Sequence, residues 1–204
     1  GPTGVELAGT IAELARDTLR PDFRNIDTHA ARVVLIEAGQ RVLAGFPDDL
    51  SAYAQRSLES LGVEVMLGQA VTECSVDGVA YGGNRLAAKT LIWAAGVRAS
   101  SAAQWLGAPA DRAFRLQVEP DLTVPGHPDI FAIGDTVTIN GPDGKPVPGI
   151  APAAKQQGVY VADTIKARLR GEKLSPFRYQ HAGSLAQIGK RKAVIDFGRF
   201  KLRG

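Results

Sequence analysis

GPTGVELAGTIAELARDTLR (residues 1–20) and RVVLIE (residues 32–37) are the two stretches whose reading decides the fold. In the first, Val5, Ala8, Ile11, Ala12, Ala15 and Leu19 fall on one face of a 3.6-residue period, which predicts a helix over Val5–Arg20 closed by Pro21. Asp22–Ala31 reads as a polar connection. Arg32–Glu37 is then a short β-branched run bounded by Ala38-Gly39, the pattern of a strand buried on both faces. A glycine turn that opens a helix is ordinarily fed by a buried strand, and no strand stands before Gly1. The amino terminus therefore reads as a cut edge.

Outward from there the pattern alternates. Asp48–Leu61 predicts a helix closed by Gly62, and Val63–Leu67 a strand. Val71–Val76 and Val79–Tyr81 suit antiparallel strands about Asp77-Gly78, with Gly82-Gly83 as the next turn. Thr90–Ala95 reads as another buried strand. The regular pattern weakens over Arg98–Phe114, so the expected domains are 1–112 and 113–204. In the second, Asp129–Ile133 predicts a buried strand, Asn140–Gly149 an exposed Gly/Pro-rich loop and Ala151–Arg170 a long helix. Ser184–Ile188 and Ala193–Phe197 predict a closing hairpin. Strands alternating with helices give an α/β, Rossmann-like parallel sheet carrying a β excursion.

Composition narrows the function classes. The chain has 204 residues, 45% of them hydrophobic, enough for a sizeable core of a soluble α/β protein. A formal charge of +3 gives no footprint for nucleic acid. One cysteine, Cys74, rules out an internal disulfide, a dithiol redox centre and a cysteine zinc site, and it reads as a buried small hydrophobe on its strand. His29, His127 and His181 are too scattered to suggest a metal site. No apolar run approaches the roughly 18 residues of a membrane-spanning helix.

Four local features carry chemistry. Gly1-x-x-Gly4 is half of a G-x-G-x-x-G turn, whose bare backbone and helix N-terminus face a pyrophosphate. Glu37 ends the next strand, where a carboxylate accepts hydrogen bonds from an adenosine ribose and repels a 2′-phosphate, so the pair points to NAD rather than NADP. Glu37 stands 33 residues beyond Gly4, more than the usual interval of about 20; the connection over Pro21–Ala31 accounts for the excess. Glu6 is either a helix-dipole carboxylate or a site residue. Ala94-Ala95-Gly96-Val97 and Ile133-Gly134-Asp135 end apolar strands in small residues, as in the ligand crevice of open α/β sheets, although turns and packing alone also use them.

In this order, GPTGVELAG, VVLIEAG, LIWAAGV, HPDIFAIGD and PGIAPAAKQQG resemble the membrane-peripheral type II NADH dehydrogenases, non-proton-pumping NADH:quinone oxidoreductases that bind FAD and NADH. The resemblance runs nearly end to end. It implies an NAD domain inserted in an FAD domain, with this chain beginning inside the NAD part and stopping before a membrane-binding C-terminal segment. It places Gly1 and Gly4 under the NADH pyrophosphate, Glu37 on the ribose, Glu6 near nicotinamide and flavin, and Ala95 and Gly96 along the NADH cleft. Gly134 and Asp135 fall to the ribityl–phosphate region of FAD. Ala151, Ala154 and Gln156 fall on the family's A-Q-x-A-x-Q quinone-site pattern, where Pro152 replaces the first Gln.

The same resemblance implies a quinone substrate and attachment to the cytoplasmic face of the inner membrane. The basic residues Lys190-Arg191-Lys192, Arg199, Lys201 and Arg203 either meet anionic headgroups or form a solvated face. Alone, the chain is expected to be colourless, inactive and self-associating through cut faces. Two other readings use part of this pattern: a ferredoxin-reductase-type flavoprotein, which needs no cysteine, and a non-catalytic NADH-sensing module, for which the second half is superfluous.

Overall fold

The computed structural model describes residues 1–142 and 144–204; within the loop expected over Asn140–Gly149, Asp143 lies outside the described residues. The chain forms two compact units, Gly1–Gly96 with Gly183–Gly204, and Val97–Ala182. The expected split at 112/113 differs at both points: the first unit ends earlier, and the C-terminal strands return to it.

In the first unit, helix α1 spans Pro2–Glu13. It begins three residues earlier than expected because Pro2 occupies a position whose N–H has no intrahelical partner anyway. Regular helix stops at Glu13 and widens into a π turn over Leu14–Thr18 and a 3-10 turn over Arg20–Asp22. Pro21 explains this, since it has no N–H to continue the ladder and its ring crowds the carbonyl four residues back.

Strand β1 (Val33–Ile36) runs parallel to β2 (Val63–Met66), pairing Val33 with Val63 and Ile36 with Met66. Helix α2 (Asp48–Ser60) makes the crossover, with Asp48 and Asp49 in its first turn, where the positive helix end favours them. Leu50, Ala54 and Leu58 of α2 pack with Val5, Ala8 and Ala12 of α1 and with Val63. β1 is half-buried along its length rather than fully buried.

Strands β3 (Val71–Ser75), β4 (Gly78–Tyr81) and β5 (Asn84–Ala87) form the expected excursion as an antiparallel meander. Cys74 corrects an expectation. It lies on edge strand β3, on the solvent side, and is exposed. Thr90–Ala95 is a second correction: no ladder forms there, and Leu91, Ile92 and Trp93 are exposed. Its apolar content suits a buried strand, but a strand needs a hydrogen-bonding neighbour, and no strand pairs with it among the described residues.

Strands β10 (Ser184–Ile188), β11 (Lys192–Asp196) and β12 (Lys201–Arg203) close the first unit as a three-stranded antiparallel sheet. One face carries Ala186, Ile188 and Val194, all fully buried in the same core as Val5 and Leu58. The turn after β10 sits directly on α1. A Cβ on Gly9 would stand 2.9 Å from the Gly189 nitrogen, and Glu13 accepts the Lys190 N–H at 2.7 Å.

The second unit is built from short pieces: helix α3 (Ala102–Trp105), strand β6 (Leu116–Gln117) parallel to β9 (Val137–Thr138), and β7 (Thr123–Val124) antiparallel to β8 (His127–Phe131). Helix α4 (Ala151–Leu169) follows. Ala103, Leu116, Val124 and Val137 form its core. The strand expected at Asp129–Ile133 is shifted to β8 and is mostly exposed, because among the described residues only β7 pairs with it.

Two carboxylates pin this unit. Asp111 holds Arg115 at 2.6 Å and accepts the Ala113 and Arg115 N–H groups. Asp121 holds Thr123 Oγ1 at 2.5 Å and Arg168 of α4 at 2.9 Å. Burial pushes both carboxyls up, and these donors more than offset it, leaving both below their ordinary values. A carboxyl with a lower pKa folded than unfolded stabilises the fold above the ordinary Asp range and loses that contribution as pH falls through about 4 and below. Acid unfolding is therefore expected to steepen below about pH 4, and Asp121→Asn to flatten the slope. Identical acid titrations of variant and parent, followed by circular dichroism, would refute the assignment.

Candidate functional site

The sequence-predicted residues fall into two groups, one in each unit. In the first, the carboxyl end of β1 meets the start of α1. The Glu37 N–H reaches the Met66 carbonyl at 2.8 Å, extending the β1–β2 ladder by one residue. Its side chain then turns back: Oε1 accepts the Gly39 N–H at 2.9 Å, and Oε2 lies 3.3 Å from the Gly1 ammonium. The Gly39 N–H, working against partial burial, holds the Glu37 carboxyl below its ordinary value. Gly1 and Glu37, far apart in sequence, are thus neighbours.

The two glycines of the turn differ in role. A Cβ on Gly1 would meet nothing within 4 Å, so its backbone faces open space. Gly4 is buried, and a Cβ there would press on Leu35 Cδ1 at 3.4 Å and Ala94 Cβ at 3.6 Å. Gly4 therefore sets how closely helix and strand approach, as the last glycine of such a turn does. Ala94 brings the Ala95-Gly96 stretch beside the same helix start. Gly96 adopts φ +113, a left-handed backbone, with open space where its side chain would be.

Glu6 is half-buried, beyond the first turn of α1, so the helix-dipole reading loses its basis. Its Oε1 accepts the Gln187 N–H of β10 at 3.2 Å. Sequence reasoning had no access to this contact, whose partners are 181 residues apart.

In the second unit, Gly134–Thr136 forms a 3-10 turn in which Gly134 takes φ +74. A Cβ on Gly134 would touch Ala154 Cβ of α4 at 3.6 Å. Asp135 is exposed, its Oδ1 3.9 Å from the space beside Gly149. Ala151 and Pro152 start α4 exposed, with Pro at a position that needs no N–H. A small cleft opens here, lined by Gly134, Val147, Gly149, Ile150, Ala154 and Gln157.

Gln156 is engaged elsewhere: its Nε2 donates to the Gln180 carbonyl at 2.8 Å and its Oε1 accepts the Gln180 N–H at 2.9 Å. Gln157, not singled out from sequence, is buried and accepts the Gly134 N–H at 2.6 Å. The signal for it was present: it shares the buried helical stripe with Ala153, Thr164 and Ala167.

No group of three or more His, Cys, Asp or Glu side chains is arranged to hold a metal among the described residues. Within the described residues, no helix is long and apolar enough to cross a membrane.

The chain is 40% identical, over its full length, to the type II NADH:quinone oxidoreductase Ndh of Mycobacterium tuberculosis, and covers 46% of that protein. The structure of NDH2 from Plasmodium falciparum in complex with NADH shares the fold at a TM-score of 0.89 and 19% identity, over 100% of this chain and 57% of that one. The ferredoxin reductase for the CYP199A2 system of Rhodopseudomonas palustris shares it less completely, at a TM-score of 0.67 and 22% identity over 92% of this chain and 45% of that one. The chain thus spans less than two thirds of each. Residues 1–158, which hold the Gly1 turn, Glu37, the Gly134-Asp135 turn and the first turns of α4, match one family throughout, and the chain belongs to the pyridine nucleotide-disulphide oxidoreductases.

Proposed function

We propose that this chain supplies the NADH site and part of the FAD site of an NADH:quinone oxidoreductase. The observation that carries the reading is Glu37 at the carboxyl end of β1, its N–H extending the β1–β2 ladder to the Met66 carbonyl and its Oε1 fixed by the Gly39 N–H at 2.9 Å. A dinucleotide laid over the start of α1 puts its pyrophosphate at the bare Gly1 backbone and the positive helix end. Its adenosine ribose then falls to Glu37, which is anionic at neutral pH and accepts two hydroxyl hydrogen bonds. Gly4 keeps α1 close to β1, Ala95 and Gly96 leave room for a flat ligand, and Glu6 lines the same helix one turn further on.

The second unit suits FAD by the same test: Gly134 has no side chain where Ala154 approaches, and the Asp135 carboxylate is exposed beside it. Asp135 accepts ribityl hydroxyls, and Gly134 lets the phosphate-bearing chain pass. When bound, FAD supplies the two-electron acceptor between NADH and quinone. The protein's residues bind, orient and exclude water. Ala151 and Ala154 keep the start of α4 narrow enough for a quinone ring; Gln156 reaches a quinone only by releasing Gln180.

In the intact protein the reading extends to a membrane surface on the cytoplasmic side. Arg191 and Arg199 are exposed and suit anionic headgroups, whereas Lys190, Lys192 and Lys201 are tied to Thr18, Ser60 and Asp49. Exposed Leu91, Ile92 and Trp93 favour self-association of the chain as it stands. The ferredoxin-reductase reading has fold likeness alone in its support.

Calorimetry on this chain tests the central claim. NADH is expected to bind at least about tenfold tighter than NADPH, a difference of about 1.4 kcal/mol. Equal affinities, or no binding of either, would overturn the reading.

A further inference from the structure

We propose that Gln157 is the positioning residue of the Gly134-Asp135 turn, and so sets how tightly the protein holds its flavin. The inference rests on the flavin reading above. Gln157 lies in α4 with 3% of its surface exposed. Burying a long amide there costs desolvation and side-chain freedom, and such a group persists where it is hydrogen-bonded. Its Oε1 accepts the Gly134 N–H at 2.6 Å.

Ala154, one turn earlier on the same helix face, meets the side-chain-free surface of that same glycine. The turn is therefore gripped at one residue by two points of one helix. Gly134 is left-handed, a conformation that glycine adopts freely and leaves freely. Without the Gln157 acceptor the Ile133–Gly134 peptide is free to rotate at the start of the turn, and the Asp135 carboxylate one residue on loses its fixed direction.

The neighbouring Gln156 clamps Gln180, so two successive glutamines hold two different segments to α4. Gln157 acts through Gly134 and Asp135 rather than by touching the reacting atoms.

The test uses the FAD-loaded protein that carries this chain. Gln157→Met fills the same space without an acceptor. It is expected to raise the flavin dissociation constant about tenfold, equivalent to about 1.4 kcal/mol, and to abolish hydrogen-exchange protection of the Gly134 amide in the flavin-free protein. Gln157→Glu keeps an acceptor at the same reach and is expected to restore both the protection and most of the affinity. If Gln157→Met does not fold, Gln157→Asn, whose amide stops one carbon short, is expected to move both readouts in the same direction.

Lost Gly134 protection with unchanged flavin affinity would show a purely structural bond and overturn the proposal. Unchanged protection would overturn it as well. A parent protein that takes up no flavin, with the Gly134 amide still protected, would instead overturn the flavin reading on which it rests.

Discussion

Replacing Glu37 by arginine is expected to invert the dinucleotide preference of this chain, with the NADH-to-NADPH affinity ratio moving by about a hundredfold or more. Two changes add. A carboxylate that accepts ribose hydroxyls is worth about 1.5–3 kcal/mol per charged hydrogen bond, and NADH loses it. NADPH at the same time exchanges a like charge beside its 2′-phosphate for a guanidinium that pairs with phosphate through two N–H groups. At about 1.4 kcal/mol per factor of ten, about 1.5 kcal/mol from the lost bond and about as much from the gained charged pair together exceed a hundredfold.

The site also predicts a graded control. Glu37→Gln keeps an acceptor for the Gly39 N–H, which closes the turn after β1, but drops the charge. Its preference for NADH should shrink without inverting. An arginine variant that binds NADH and NADPH in the parent's ratio would remove Glu37 from the ribose. An unfolded variant would be recognised by its melting curve, and the glutamine control would then carry the test.

How much of this was legible in the sequence depends on how far apart the partners stand. Helix α2 was legible nearly to its ends, because its closing signal is local: Gly62 follows with φ +78. β1, β2 and the β3–β4 turn were legible for the same local reasons. Thr90–Ala95 was misread because apolarity reports only a wish to be buried; a strand also needs a neighbour, and that neighbour is not written in the stretch itself. Cys74 was misread because an edge strand has a solvent face, and one residue type does not tell which face it takes.

The candidate site follows the same rule. Gly1 and Glu37 can be proposed from sequence because turn chemistry and strand-end charge are local. The contacts of Gln157 with Gly134, and of Glu6 with Gln187, were not legible, since each joins segments that only the fold brings together. The return of β10–β12 to the first unit is the largest such case. Its hairpin was legible, but its docking face was not. Ala186 and Ile188 alternate with exposed Leu185 and Gln187 in a way that says one face of β10 is buried, without saying against what.

That docking face can be tested at Gly9, where two effects oppose each other and their magnitudes decide the sign. Gly9 lies inside α1, and Gly→Ala in a helix interior ordinarily stabilises by up to about 1 kcal/mol. Here the added Cβ would stand 2.9 Å from the Gly189 nitrogen and 3.4 Å from the Ile188 carbonyl carbon, both backbone atoms. Backbone at that turn has little room to yield. Gly189 is itself left-handed at φ +67, the Glu13 carboxylate packs where its side chain would go, and the Lys190 N–H is held by the same carboxylate. Overpacking a tight contact costs about 1–3 kcal/mol, and each hydrogen bond lost as the hairpin lifts adds about 1 kcal/mol. The clash therefore outweighs the gain in helix propensity. Gly9→Ala should be net destabilising, and Gly9→Val, with two further methyl groups and a β-branched side chain, should lower stability by about 3 kcal/mol. Urea unfolding with intact slopes would measure both. If Gly9→Ala instead raises the midpoint, as helix propensity alone requires, the β10–β11 turn does not rest on α1, and the first unit must be closed in some other way.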